Sequence, residues 1–424
     1  TLNDKDINKI KQIQTKKKLD IKTICGDCAD LNVFEEIDLK STDFFIACTN
    51  DDKLNLLTAM YLESVPGIQT LVVLKNNKYK DYPGKVGFPE IKTFYHGDIV
   101  SEKILNLFET PYSWETDKIA DSTILFLKIK IDENSPLLGK SIYSLNKDGI
   151  NKWKFLAVTE DPSGQKLNFI KANSPSTRLK KDDIVLAVVS YDLEREFEET
   201  YFSNEDVELS NIFIVGGNYI ATNVAKKLVG RKCNVKLIVY DKARARELSD
   251  ELNDVQIILG EPTNEDLLKD NGVGEECDYF LALTDDDEIN VLSALLSNKL
   301  KAKNSLVVYS KSEYQNVINS IGAEREINTK FSISGEINSY LMRKQYSHET
   351  IVDENTKIFE FEAKEELDIK NISDDISLAF ILRETQNGRV IIDPEDDKIA
   401  KGDYVIAVTL NSQAEKDLES KILG

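Results

Sequence analysis

Two stretches of the chain, FFIACTNDDKLNLLTAMYLES (Phe44 to Ser64) and YFLALTDDDEINVLSALLSNK (Tyr279 to Lys299), follow one pattern 235 residues apart. Each opens with a short apolar run, breaks at a threonine followed by Asn or Asp, and continues with apolar residues at helical spacing. Their surroundings repeat as well. TICGDCADLNVFEEI (Thr23 to Ile37) matches IILGEPTNEDLLKDN (Ile257 to Asn271), and LVVLK at Leu71 matches LVVYS at Leu306. Further on, RLKKDDIVLAVVS (Arg178 to Ser190) matches KIAKGDYVIAVTL (Lys398 to Leu410). An internal repeat outranks any local reading, because it fixes the architecture. The order is A-B-A′-B′, with A over about 1–118, B over about 120–200, A′ over about 208–345 and B′ over about 348–424. The acidic stretch DLEREFEETYFSNEDVELS (Asp192 to Ser210) reads as a helix and linker between the halves.

Within A′, apolar runs at 212–215, 235–239, 255–259, 279–283 and 305–309 alternate with amphipathic segments such as IATNVAKKLVG and DDEINVLSALLSNKL. Alternating strand and helix predicts a parallel sheet covered on both faces. The expected fold class is therefore α/β, with two Rossmann-like, doubly wound parallel-sheet domains. Each is followed by a small α+β subdomain, whose strands include FLAV (155–158) and DIVLAVVS (183–190).

Composition narrows the function. The chain has 424 residues, is 41% apolar and 30% charged, and carries a net charge of −20. Such an excess of acid opposes general nucleic-acid binding, which draws on clustered Lys and Arg. The run Lys16-Lys17-Lys18 reads as a solvated helix end. No apolar run reaches the roughly 18 residues of a membrane helix, and no signal peptide is visible. The five cysteines, Cys25, Cys28, Cys48, Cys233 and Cys277, are scattered, as expected in a reducing compartment. Cys25-Gly-Asp-Cys28 fits C-x-x-C but has no second pair at zinc spacing, so it reads as a strand-end cysteine followed by a loop cysteine.

In a doubly wound sheet, ligands sit beyond the carboxyl ends of the strands. The stretch IFIVGGNYIATNVAKKL (Ile212 to Leu228) occupies the phosphate-loop position there, but reads G-G-N-Y-I-A where G-x-G-x-x-G/A is expected. Gly216 keeps the first glycine, Gly217 and Ile220 lie between, and Ala221 is tolerated at the end. Asn218 stands at the second glycine, where a side chain obstructs close phosphate approach. Gly260, Glu261 and Thr284 fill the remaining loop ends of this second module. Asp241 has two readings, ribose acid or N-cap of the helix DKARARELSDEL. Counting back nine residues from the second apolar helix position reaches Asp4 from Ile13 in A, but Val239 from Leu248 in A′. By that register Asp4 is the ribose acid, Asp6 the cap, and Asp241 the counterpart of the cap. The second site is expected to be weakened. The first, with Asp4, Gly26, Asp27, Thr49 and Asn50 at its loop ends, is the better candidate. Thr1-Leu2-Asn3 reads as the close of a second strand, so the first strand and its glycine loop are expected upstream of Thr1, in a chain whose start is missing or processed.

These motifs together resemble the TrkA family, with two tandem RCK (KTN) modules. The resemblance is carried by CGDCAD (Cys25 to Asp30) and its degenerate copy LGEPTN, by TNDDKLN and TDDDEIN, by the eroded IVGGNYIA, and by SPLLGKSIYSL (Ser135 to Leu145) and KGDYVIAV (Lys401 to Val408). It implies a cytoplasmic regulatory subunit, peripheral on the inner face of the cell membrane, and not an enzyme. NAD(H) or an adenine nucleotide, ATP or ADP, would be its regulatory ligand. Its partners would be a membrane potassium-transporter subunit of Trk/Ktr type and further copies of itself, commonly a homotetrameric ring. An RCK subunit of another cation channel or antiporter is the near alternative. An NAD-dependent oxidoreductase is the remote one. Catalysis would need an acid/base group near the nicotinamide, and the two histidines, His96 and His348, show no partner arrangement.

Overall fold

A computed structural model describes residues 2–6, 10–11, 21–110, 112–113, 115–119, 123–148, 152–159, 169–171, 178–202, 211–321, 323, 325–342, 348–351, 356–366, 376–385, 388–392 and 398–418. The lysine run 16–18 and the linker residues 203–210 lie outside this set. The chain divides into two compact units, Thr1–Val100 and Ser101–Gly424.

In the first unit, β1 (Leu2–Asp4) pairs in parallel with β2 (Thr23–Cys25). A separate parallel ladder runs β3 (Phe44–Ala47), β4 (Gln69–Leu74) and β5 (Lys92–Tyr95). Helix α1 (Asp52–Glu63) buries Leu56, Ala59 and Leu62. Leu56 and Ala59 pack with Ala47, Val72 and Leu74.

The second unit holds three sheets. The first is antiparallel, in the order β6 (Glu115–Ile119), β7 (Ile124–Lys130), β10 (Ile184–Ser190), β8 (Trp153–Thr159), β9 (Phe169–Lys171). Helix α2 (Glu194–Tyr201) follows it, with Phe197 and Tyr201 buried against Trp153 and Phe155. The Trp153 indole N–H donates to the Tyr201 hydroxyl at 3.2 Å.

The next sheet is parallel throughout. It is ordered β13 (Gln256–Leu259), β12 (Asn234–Val239), β11 (Asn211–Val215), β14 (Tyr279–Ala282), β15 (Asn304–Tyr309), β16 (Arg325–Asn328). This is the doubly wound order expected from the sequence, with its crossover point between β11 and β14. Helices α3 (Tyr219–Gly230), α4 (Lys242–Glu251) and α5 (Asp287–Lys299) connect it. One strand escaped the sequence reading. β16 is Arg-Glu-Ile-Asn, and only Ile327 offers the apolar character that marked the others.

The last sheet, β17 (His348–Ile351), β18 (Lys357–Glu362), β21 (Tyr404–Thr409), β19 (Ile376–Thr385), β20 (Gly388–Ile392), repeats the topology of the first. Even the bulge recurs: Leu156 and Ala379 are skipped opposite the equivalent pairs Leu186/Ala187 and Ile406/Ala407. The two antiparallel sheets share one apolar core, built from Ile124, Phe126, Leu186 and Val188 on one side and Ile358, Phe380, Ile406 and Val408 on the other. Lys128 and Glu360 are equivalent residues, paired with the equivalent Leu186 and Ile406, and strand alternation puts both on this shared face. They are 6% and 1% exposed.

Candidate nucleotide site

The register of the two units aligns their strand ends. Asp4 pairs with Cys25 in the first, as Val239 pairs with Leu259 in the second. The next residue confirms the alignment: the Gly26 N–H donates to the Asp4 carbonyl at 3.2 Å, and the Gly260 N–H to the Val239 carbonyl at 3.0 Å. So the position that carries a half-buried carboxylate in one unit carries a valine, 2% exposed, in the other. The Asp4 carboxylate accepts from the Asp6 N–H at 2.8 Å, and the Asp6 carbonyl accepts from the Ile10 N–H at 3.2 Å.

Asp241 is a helix cap. Its backbone is extended and its carboxylate accepts from the Arg244 N–H at 2.7 Å. Capping satisfies one of the helix's orphan donors and holds a negative charge at the positive end of the helix dipole. Asp241→Ala is expected to lower the stability of this unit by about 1 kcal/mol, read by chemical denaturation. A change in the opposite direction would contradict the cap assignment.

The second glycine loop is tied up by its own side chains. Asn218 caps α3, its carbonyl oxygen accepting from the Ala221 N–H at 3.0 Å. Its amide donates to the Leu283 carbonyl at 2.8 Å and to Asp285 at 2.9 Å. One of the helix-start N–H groups that would face a phosphate, that of Ala221, is thus already taken. Arg244 crosses from α4 and donates from Nε to the Gly217 carbonyl at 2.9 Å and from Nη1 to Glu247 at 2.9 Å. Gly216 has φ +136°, and a Cβ there would lie 2.9 Å from the Leu283 carbonyl oxygen, so this glycine is required by the close approach of β11 to β14. Ile220 is only 6% exposed, on the buried side of α3.

The remaining candidates are engaged locally. A Cβ on Gly26 would meet the Val33 side chain at 2.7 Å, and one on Gly260 the tip of Leu267 at 2.7 Å, so a larger residue at either place would push that side chain aside. Asp27 accepts from the Ala29 N–H at 2.9 Å, and Glu261 from the Thr263 hydroxyl at 3.1 Å. Asn50 accepts from Lys75 Nζ at 3.0 Å.

The repeated motif T-[ND]-D-D-x-x-N proves to be a clip. Asn55 accepts from the Thr49 N–H at 2.8 Å and from its hydroxyl at 2.6 Å, and donates to the carbonyls of Thr49 and Val73, both at 3.0 Å. Asn290 does the same with Thr284 and Val308. Asp51 and Asp286 cap their helices. Asp52 accepts from the N–H groups of Lys75 and Asn76, and Asp287 from those of Ser310 and Lys311. The motif therefore fastens two neighbouring strand ends to each other at the carboxyl edge of the sheet. Sequence reasoning placed Thr49 and Thr284 at the site but missed the asparagines that hold them. Their signal was the last letter of TNDDKLN and TDDDEIN.

Comparison with known proteins agrees with this duplicated layout. The TrkA-N domain family matches residues 1–93 and 212–329. A Trk system potassium uptake protein TrkA homolog of Archaeoglobus fulgidus is 25% identical over 347 residues, covering 80% of this chain and 74% of the relative. The Trk system potassium uptake protein TrkA of Haemophilus influenzae is 25% identical over 323 residues, covering 73% and 68%. Among solved structures, the GsuK RCK domain aligns with a TM-score of 0.60 at 15% identity, over 99% of this chain and 89% of that one. The GsuK channel bound to NAD aligns with a TM-score of 0.58 at 16% identity, over 99% and 74%. With two TrkA-N domains, each built on a parallel sheet, the chain belongs to the TrkA family.

Proposed function

We propose that this chain is a nucleotide-binding regulatory subunit of a potassium-transport system, acting on a membrane potassium-transporting subunit of Trk/Ktr type. The relatives that align over most of the chain are Trk potassium uptake proteins, and a channel of the same fold was solved with NAD. The observation that carries the ligand reading is the contrast at one strand end: a half-buried carboxylate, Asp4, against a buried valine, Val239. Asp4 can accept both hydroxyls of a ribose diol, and the other loop ends of the first unit, Gly26-Asp27 and Thr49-Asn50, flank it. NAD(H), or an adenine nucleotide such as ATP or ADP, is the ligand that this arrangement fits. The second module, with Gly216, Gly217, Asn218, Gly260, Glu261 and Thr284 fastened to one another or to neighbours, serves as scaffold.

The role is regulatory rather than catalytic. A ligand biases two conformations only through unequal affinity for them, so nucleotide at the Asp4 corner acts by favouring one arrangement of the assembly. Among the described residues no helix is long and apolar enough to cross a membrane. The similarity to Trk potassium uptake proteins supports action through docking on the cytoplasmic face of a separate membrane subunit. Calorimetric titration with NADH, NAD, ATP and ADP tests the scheme. One site per chain is expected, and two sites per chain would refute the closed second module.

We propose assembly into a homotetrameric ring, a reading supported by the outward faces of α1 and α5. The inner faces of these helices are buried, yet Leu57 and Tyr61 on α1 are 60% and 39% exposed, and Leu292 and Leu295 on α5 are 50% and 40% exposed. Helices apolar on both faces are usually covered on both. Uncharged stripes are also where two chains of net charge −20 approach with least repulsion. Leu57→Glu combined with Leu292→Glu is expected to reduce the assembly to smaller species in sedimentation. An unchanged mass would remove these helices from the interface.

A further inference from the structure

The corner beside Asp4 carries sulfur that its duplicate lacks. Cys25 is the direct cross-strand partner of Asp4, and its thiol is exposed. Cys28 follows three residues later in a tight turn. The Asp30 N–H donates to the Asp27 carbonyl at 2.9 Å, and the Ala29 N–H to the Asp27 carboxylate at 2.9 Å. In the second unit the same two positions are Leu259 and Pro262. Leu259 is 48% exposed, so the strand end opens to solvent in both copies. The framework is thus indifferent to sulfur, and the thiols accompany only the unit that has the ribose acid. The far cysteine supplies a contrast. Cys277 is fully buried, and burial first, then Asp278, pushes its thiol up to about 12.

We propose that Cys25, with Cys28 beside it, is a site of reversible modification by low-mass disulfides, and that an adduct there expels nucleotide from the Asp4 corner. The second half of this proposal rests on the reading of the first module as the ligand site. Thiolate is the attacking species in disulfide exchange. The Cys25 thiol loses its proton and its sulfur attacks R–S–S–R. A Cys25–S–S–R bond forms, the S–S bond of the reagent breaks, and the leaving thiolate takes the proton as RSH. If Cys28 then attacks the Cys25 sulfur, a second RSH leaves and a Cys25–Cys28 disulfide remains. Two protein thiols are oxidised and one small disulfide is reduced to two thiols. Cys28 is the less accessible partner, and burial, then the nearby Asp27 and Asp4 charges, raise its thiol above the ordinary range. The adduct stands on the strand position opposite Asp4, where a ribose would lie.

The test treats reduced protein with oxidised glutathione, maps adducts by peptide mass, and measures NADH binding before and after. The expected result is labelling at Cys25 before Cys233 and Cys277, with NADH affinity falling at least about 10-fold and returning with dithiothreitol. Cys25→Ser should bind NADH and ignore the oxidant, and Cys28→Ser should stop at the mixed disulfide. Labelling that spares Cys25, or a Cys25 adduct that leaves NADH affinity unchanged, would overturn the proposal. If reduced protein binds none of NADH, NAD, ATP and ADP, the nucleotide reading itself fails, and the modification site is decided by the adduct map alone.

Discussion

Asn290→Ala is expected to destabilise the second parallel-sheet domain by about 3–5 kcal/mol, a large fraction of what a domain of this size has to lose. Asn290 is 1% exposed and makes four hydrogen bonds, accepting from the Thr284 N–H and hydroxyl and donating to the carbonyls of Thr284 and Val308. Alanine removes all four. The Thr284 amide and the Val308 carbonyl are then left without their partner near the core, at about 1–3 kcal/mol each. Asn290→Asp should be harmful for a different reason. It keeps the acceptor but turns a second oxygen toward two carbonyls. The aspartate would bind its proton more tightly folded than unfolded, so its folded pKa lies above the unfolded one. The variant should therefore be most stable at low pH and lose stability as pH rises through the carboxyl range. Denaturation curves at two pH values separate the cases. Loss below about 1 kcal/mol for Asn290→Ala would show that the clip is dispensable. Asn55, fully buried with the same four bonds, should behave alike in the first unit.

Asp4→Ala is expected to weaken NADH binding by about 1.5–3 kcal/mol, roughly 10- to 100-fold in Kd, the size of a lost hydrogen bond to a charged group. Asp241→Ala should leave the titration unchanged while costing folding stability. The two residues look alike on paper, each an acid near the end of a second strand. The structure separates them: Asp241 is two residues past the position that Asp4 occupies, and its carboxylate serves Arg244. Equal loss of binding in both variants, or none in Asp4→Ala, would refute the assignment. Asp4→Asn is the finer probe. It keeps an acceptor for the Asp6 N–H, so any fall in affinity reports on the charge rather than on the turn.

That this register could be found by counting follows from the duplication. Each unit acts as the other's alignment, and the helix position that places Asp4 against Val239 is apolar in both. The strands of A′ were legible for the same reason, being buried on both faces and nearly continuous in Val, Ile and Leu. β16 was not, because its alternate residues Arg325, Glu326 and Asn328 are polar. The clip was hidden too. A buried asparagine looks like any helix asparagine until the strand it reaches, 18 residues on, is placed beside it. Nor could pattern alone show what covers the second face of the antiparallel sheets. β7 and β10 are apolar on alternate residues of both faces, and the partner of the outer face lies more than two hundred residues away in the sequence.

The shared face between those two sheets also sets which copy can meet which. Gene duplication yields two halves that begin as equals, and each could as readily join its twin from another chain. Here the equivalent places have diverged to Lys128 and Glu360. Joining first to second buries one charge of each sign in the same interface. Joining first to first would bury two lysines, and second to second two glutamates, each a burial of like charges in one interface. One lysine and one glutamate thus favour the union of a first half with a second half, and the joining of two like halves is discouraged by the charge at one repeated position.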